Sequence, residues 1–169
     1  MTSAAGNRDR DESGTARNAR PRDQLGRPLP YGAVGVARQA EGVRRTPTET
    51  LQEAQRLLDD GFPFHAHEVF EDAWKLSDPS ERAWWKALAQ FAVGVTHLAR
   101  GNRRGAARLL ERSSRALSDL PAHAPFGIDV AAICDWSNRA VAELSREPNA
   151  ALSEPPAAPR LTSPTAESR

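Results

Sequence analysis

The chain has 169 residues, enough for one domain with flanking segments. With 27% charged and 39% hydrophobic residues it supports a globular core and is not a wholly disordered polymer. A net charge of +1 excludes a strong overall field for nucleic acid or anionic membranes, and a single cysteine excludes an internal disulfide or a multi-cysteine metal site.

Residues 1–47 carry nine Arg against five acidic residues, and Tyr31 is their only aromatic. This predicts a flexible Arg- and Pro-containing arm, because so few large apolar groups do not offset the entropy of ordering it. Residues 147–169 hold five of the thirteen prolines and no aromatic, which predicts a disordered tail. The other nine aromatics lie between Phe62 and Trp136, and the domain is expected at about 48–146. The start of the chain, Met1 to Arg27, has no apolar run of the signal-peptide kind. The stretch Ala83–Ala99 is broken by Lys86, Gln90, Thr96 and His97 and falls short of a membrane span, which needs ~20 apolar residues. The expectation is a cytoplasmic protein.

Five helices follow in order, giving an all-α array. Thr48 or a neighbour caps the first, with Leu51, Ala54, Leu57 and Leu58 on one face and Gly61 at its end. Pro63 opens the second, which runs to about Leu76. The third, about 80–100, is the most apolar and is expected to be central. Asn102 caps the fourth, which runs to about Leu120; Pro121–Gly127 is a loop; Ile128 or Asp129 starts the fifth, ending near Arg146. No alternating Val/Ile/Thr run predicts a strand.

Helical spacing then sorts the side chains. On the second helix Ala66, Phe70, Ala73 and Trp74 form the buried face, with His67 at its edge and Glu71 one turn further on. His65, Glu68, Asp72 and Lys75 are placed outward. On the third helix Lys86, Gln90 and His97 fall in one narrow polar stripe, beside Gly94, which admits a neighbouring backbone.

The segment Pro63-Phe64-His65-Ala66-His67-Glu68-Val69-Phe70-Glu71-Asp72-Ala73-Trp74 resembles the signature of the prokaryotic "domain of unknown function 309" family, roughly A-H-E-x-x-E-x-x-W. A second block agrees with it: Leu88–Gly94, His97–Asn102 and Gly105-Ala106. The arm segments Asn18–Asp23 and Leu25–Pro30 resemble those of actinobacterial members. The resemblance implies a small all-helical fold and no established activity.

Three readings of function are open. The first is a non-enzymatic binding or interaction domain, with a ligand site at His67, Glu68, Glu71, Trp74, Gln90 and His97 between the second and third helices. The second is a metal-assisted hydrolase in which His67, Glu71 and His97 are ligands, since i,i+4 spacing puts His67 and Glu71 on one side of a helix. The plainer alternative to both is a partly buried histidine held by a carboxylate. The third is RNA or phosphate binding through the face carrying Arg104, Arg108 and Arg115. A solvated helix face is the favoured account of those arginines, because the core's 14 acidic residues outnumber its 12 basic ones. No cofactor is named; the partner is an unspecified protein or small molecule rather than nucleic acid. Asn18–Pro30 is read as a tail by default and as a docking peptide in the alternative.

Overall fold

A computed structural model describes residues 20–37, 39–146 and 156–163. Its helices are α1 (Pro47–Asp59), α2 (Pro63–Leu76), α3 (Arg82–Ala99), α4 (Arg103–Ser118) and α5 (Val130–Arg146), with a 3₁₀ turn at Pro125–Gly127. Among the described residues there is no strand, only two isolated bridges, Arg22 with Pro28 and Ile128 with Thr162. No helix among the described residues is long and apolar enough to cross a membrane.

Local chemistry explains the helix ends. Thr46, not Thr48, caps α1: its hydroxyl accepts from the Glu49 amide at 3.2 Å, and the Glu49 carboxylate accepts from the Thr46 amide at 2.7 Å. This is a capping box with Pro47 at the first helical position. Pro63 does the same for α2 without a capping side chain. The Asn102 side-chain oxygen accepts from Gly105 N at 3.0 Å at the start of α4, and that of Asp129 accepts from Ala132 N at 2.9 Å at the start of α5.

Each helix packs chiefly on its neighbours in sequence, which leaves α3 between α2 and α4. Trp84, Trp85, Leu88, Phe91 and Ala92 are all buried on α3. Burying one large apolar side chain is worth roughly 1.5–3 kcal/mol, so α3 contributes the centre of the core. The α3–α4 approach is close at Gly94, where a Cβ would lie 2.8 Å from Leu110 Cδ2 and 3.2 Å from Leu110 N. Ser113 ties the same pair, its hydroxyl donating to the Ala87 carbonyl at 2.8 Å.

Segments on both sides of the helices pack against them. Residues 1–19, 38, 147–155 and 164–169 of the expected arm and tail lie outside the described residues. Of the rest, Leu25 and Leu161 are buried. Leu161 N donates to Gln55 Oε1 on α1 at 2.8 Å, and Leu161 O accepts from Asp129 N at the start of α5 at 2.9 Å. Trp136 Nε1 donates to the Ala157 carbonyl at 2.7 Å. The 156–163 segment therefore links the first and last helices, which do not pack extensively on each other. A single leucine, with its backbone polar groups satisfied, anchors each segment despite its polar, proline-rich composition.

Candidate functional site

The arm folds into a small loop before it reaches the helices. Asp23 organises it: Oδ1 accepts from Leu25 N at 2.9 Å and Arg27 N at 2.8 Å, and Oδ2 accepts from Arg27 Nε at 2.8 Å. Leu29 N donates to Pro21 O at 2.7 Å and Val36 N to Arg22 O at 2.8 Å. Gly26, at φ +75°, lies against the Phe64 ring, where a Cβ would come within 2.3 Å of Phe64 Cγ. Two guanidinium groups flank the same ring, Arg22 at 5.7 Å and Arg100 at 5.9 Å from its centroid. Arg100 Nε donates to Leu25 O at 2.8 Å, and Arg100 Nη2 donates to the same oxygen. The start of α2 and the end of α3 together form the seat of the arm.

This seat corrects two outward placements on α2. His65 is only 5% exposed, and its Nε2 donates to the Ala37 carbonyl at 3.2 Å. Asp72 is buried as well: Oδ1 accepts from Gly42 N at 3.0 Å, and Oδ2 lies 3.7 Å from Arg45 Nη1. The arm covers the face they lie on, so it is a buried surface rather than a solvated one. Glu68 is half-buried and Lys75 exposed.

His67 and Glu71 are brought together, with Nε2 and Oε2 at 3.8 Å. Glu71 is shared: Lys75 Nζ contacts its other oxygen at 2.9 Å. The His67 ring packs on Phe64 at 5.9 Å, and its Nδ1 is shielded from solvent without a hydrogen bond. Burial lowers the His67 pKa below the ordinary value; Glu71 opposes this and Lys75 adds to it. His67 thus lies at the edge of the seat, with its pKa held below the ordinary value. Trp74 is partly buried, with Lys86 Nζ 5.8 Å from its ring centroid, and Gln90 is half-buried on α3.

His97 serves another structure. Asn102 Nδ2 donates to His97 Nδ1 at 2.7 Å, while the Asn102 oxygen caps α4. This fixes His97 as the Nε2–H tautomer within the α3–α4 turn. Burial, and then the nearby Arg100, lower its pKa. Among the described residues no group of three or more His, Cys, Asp or Glu side chains is placed to hold a metal ion, so His67, Glu71 and His97 do not assemble into a three-ligand set. Arg104, Arg108 and Arg115 are all exposed on α4 and form no ion pair among the described residues. The seat residues Leu25, Gly26, Phe64 and Arg100 are absent from the sequence-derived site. Leu25 and Gly26 did stand within the arm motif, and Phe64 within the α2 motif.

A family model described as "Domain of unknown function (DUF309)" matches residues 51–109, which run from α1 into α4 and include Phe64, His67 and Arg100. The chain is also similar to the uncharacterized protein YpuF of Bacillus subtilis (strain 168). The two are 40% identical over 55 residues, covering 32% of this chain and 32% of that protein. The chain thus spans about a third of the length of the curated relative it matches. No solved structure matches it.

Proposed function

We propose that the protein is a non-enzymatic interaction domain, an actinobacterial-type cytoplasmic relative of that family, which binds peptide segments at the joined ends of α2 and α3. The reading rests on one observation: the chain's own arm is held there by specific groups. Arg100 grips the Leu25 carbonyl, Phe64 receives Gly26 between two guanidinium groups, and His65 holds the Ala37 carbonyl. Two of these contacts are to backbone oxygens of the arm. Recognition through backbone acceptors tolerates other sequences that fold into the same turn.

The proposed binding surface continues from the seat along His67, Glu68, Glu71, Trp74 and Gln90. Continuity comes through Phe64, which touches the arm on one side and the His67 ring on the other. Among the described residues His67 Nδ1 makes no hydrogen bond.

The test is binding in trans. A labelled synthetic peptide of residues 20–37 is titrated into full-length Gly26→Val protein, a substitution expected to displace its own arm. Saturable binding is expected, weaker to the wild type, whose seat is filled, and weaker to a Gly26→Val/Arg100→Ala double variant. Peptide binding to none of the three, or to the double variant as well as the single one, rejects the reading.

A further inference from the structure

The turn that leads into α5 is held in an unfavourable backbone conformation. Phe126 is the one non-glycine residue with positive φ among the described residues, at φ +59° and ψ +18°. A bulky side chain is disfavoured in this left-handed region. Gly127 follows it at φ +72°. Such a conformation persists only where its surroundings fix it.

Two sets of contacts do so. On one side the Phe126 ring stacks on the Trp85 indole, with centroids 5.8 Å apart and planes 11° apart, and Trp85 stacks in turn on the buried Phe70. Phe126 is exposed while Trp85 is only 1% exposed, so the ring shields the indole from solvent. On the other side lies the tail segment. Ser163 N donates to Gly127 O at 3.0 Å, and Asp129 N donates to Leu161 O at 2.9 Å. Residues 161–163 thus bracket Ile128, which pairs with Thr162 in an antiparallel bridge. Among the described residues these are the backbone bonds that reach the turn from elsewhere in the chain.

The segment is anchored away from Trp85. Leu161 bonds to Gln55 on α1, Ala157 to Trp136 on α5, and Arg160 lies 3.6 Å from Asp59 on α1. Among the described residues no hydrogen bond or ion pair joins the segment to α3. The Pro125–Ile128 turn is therefore the mechanical link between the tail and the Trp85 indole.

We propose that the 156–163 segment is a latch for this turn. Seated, it holds Phe126 over Trp85. Withdrawn, it frees the turn to leave the left-handed region, and the Phe126 ring leaves the indole. Backbone strain favours the open turn and the tail bonds favour the closed one, so the turn follows the occupancy of the tail seat. Whatever draws off the tail uncovers an aromatic face on α3 that the closed form hides. The latch is separate from the peptide seat of the arm and does not depend on it.

The experiment follows the Trp85 indole N–H by NMR in full-length protein carrying ¹⁵N-tryptophan. Ser163→Pro removes one N–H donor at an exposed position and leaves the core untouched. It is expected to shift the Trp85 signal and to speed exchange of its indole hydrogen roughly three- to tenfold, the factor that one neutral hydrogen bond supplies. Leu161→Ala releases the buried anchor and is expected to move the signal further in the same direction. Phe126→Ala should shift the signal by itself, and adding Leu161→Ala to it should move Trp85 no further. The proposal is overturned if Trp85 is unmoved in both tail variants. It is overturned equally if Leu161→Ala shifts Trp85 as much without the Phe126 ring as with it.

Discussion

The Arg100 guanidinium donates to the carbonyl oxygen of Leu25 from 75 residues further along the chain. Arg100 is the C-terminal cap residue of α3 and is partly buried, and burial lowers its pKa. It stays charged at neutral pH in any case, since guanidinium groups do not deprotonate in proteins. A charge-assisted bond to a backbone carbonyl is worth roughly 1.5–3 kcal/mol. Arm and helices thereby become one unit, although the arm's composition alone argues for disorder.

Gly26→Val should detach the arm. The new side chain meets the Phe64 ring, and the φ of +75° disfavours a β-branched residue. If the helices remain folded once the arm leaves, the cost in global stability is bounded by the free energy with which the arm is seated. A loss of roughly 1–3 kcal/mol is expected in urea unfolding, with the helical circular dichroism of the native state unchanged. Loss of helix content would mean that the arm is integral to the core.

Leu161→Ala should loosen the link between α1 and α5. Leu161 has no exposed surface, and buried Leu→Ala changes cost roughly 2–5 kcal/mol. The low end is expected here, because the segment is terminal to the helices and can lift away. Fluorescence checks the mechanism: losing the Trp136 contact with Ala157 should shift indole emission to the red. Destabilisation without that shift would place the loss elsewhere.

Stability should fall on mild acidification. The His67 pKa is lowered in the folded state from its ordinary 6.5, mainly by burial. The unfolded chain therefore binds the proton more tightly. Stability is fully present above the unfolded value and is lost as the pH falls through it towards the folded value. His97 acts in the same direction. Unfolding midpoints measured across this window should drop towards acid, and His67→Gln should flatten part of the slope. An unchanged slope in that variant would assign the effect to other groups.

The helices were legible because the 3.6-residue period of Leu51, Ala54, Leu57 and Leu58, and of the large apolar groups on α3, dominates local structure. The α1 cap is written in Thr46-Pro47-Thr48-Glu49, where Glu49 stands three residues after the capping Thr46. His67 and Glu71 do meet, as i,i+4 spacing requires. His97 escapes that cluster because Asn102, the cap of the following helix, takes its Nδ1. His65 and Asp72, expected to face solvent, are buried. Periodicity reports which way a side chain points, not what non-periodic segment lies over it. The anchors of those segments are single leucines, Leu25 and Leu161, whose burial is invisible to any average over composition.

Amide hydrogen exchange in the arm, compared between wild type and Arg100→Ala, tests the seated arm most directly. The informative amides are Leu29, bonded to Pro21 O, and Val36, bonded to Arg22 O. Both should be protected in the wild type and should exchange roughly ten- to a hundredfold faster in Arg100→Ala, the factor that corresponds to one charged hydrogen bond. Exchange of both amides at the rate of an unstructured peptide in the wild type would contradict a docked arm, and with it the peptide-binding role assigned to the ends of α2 and α3.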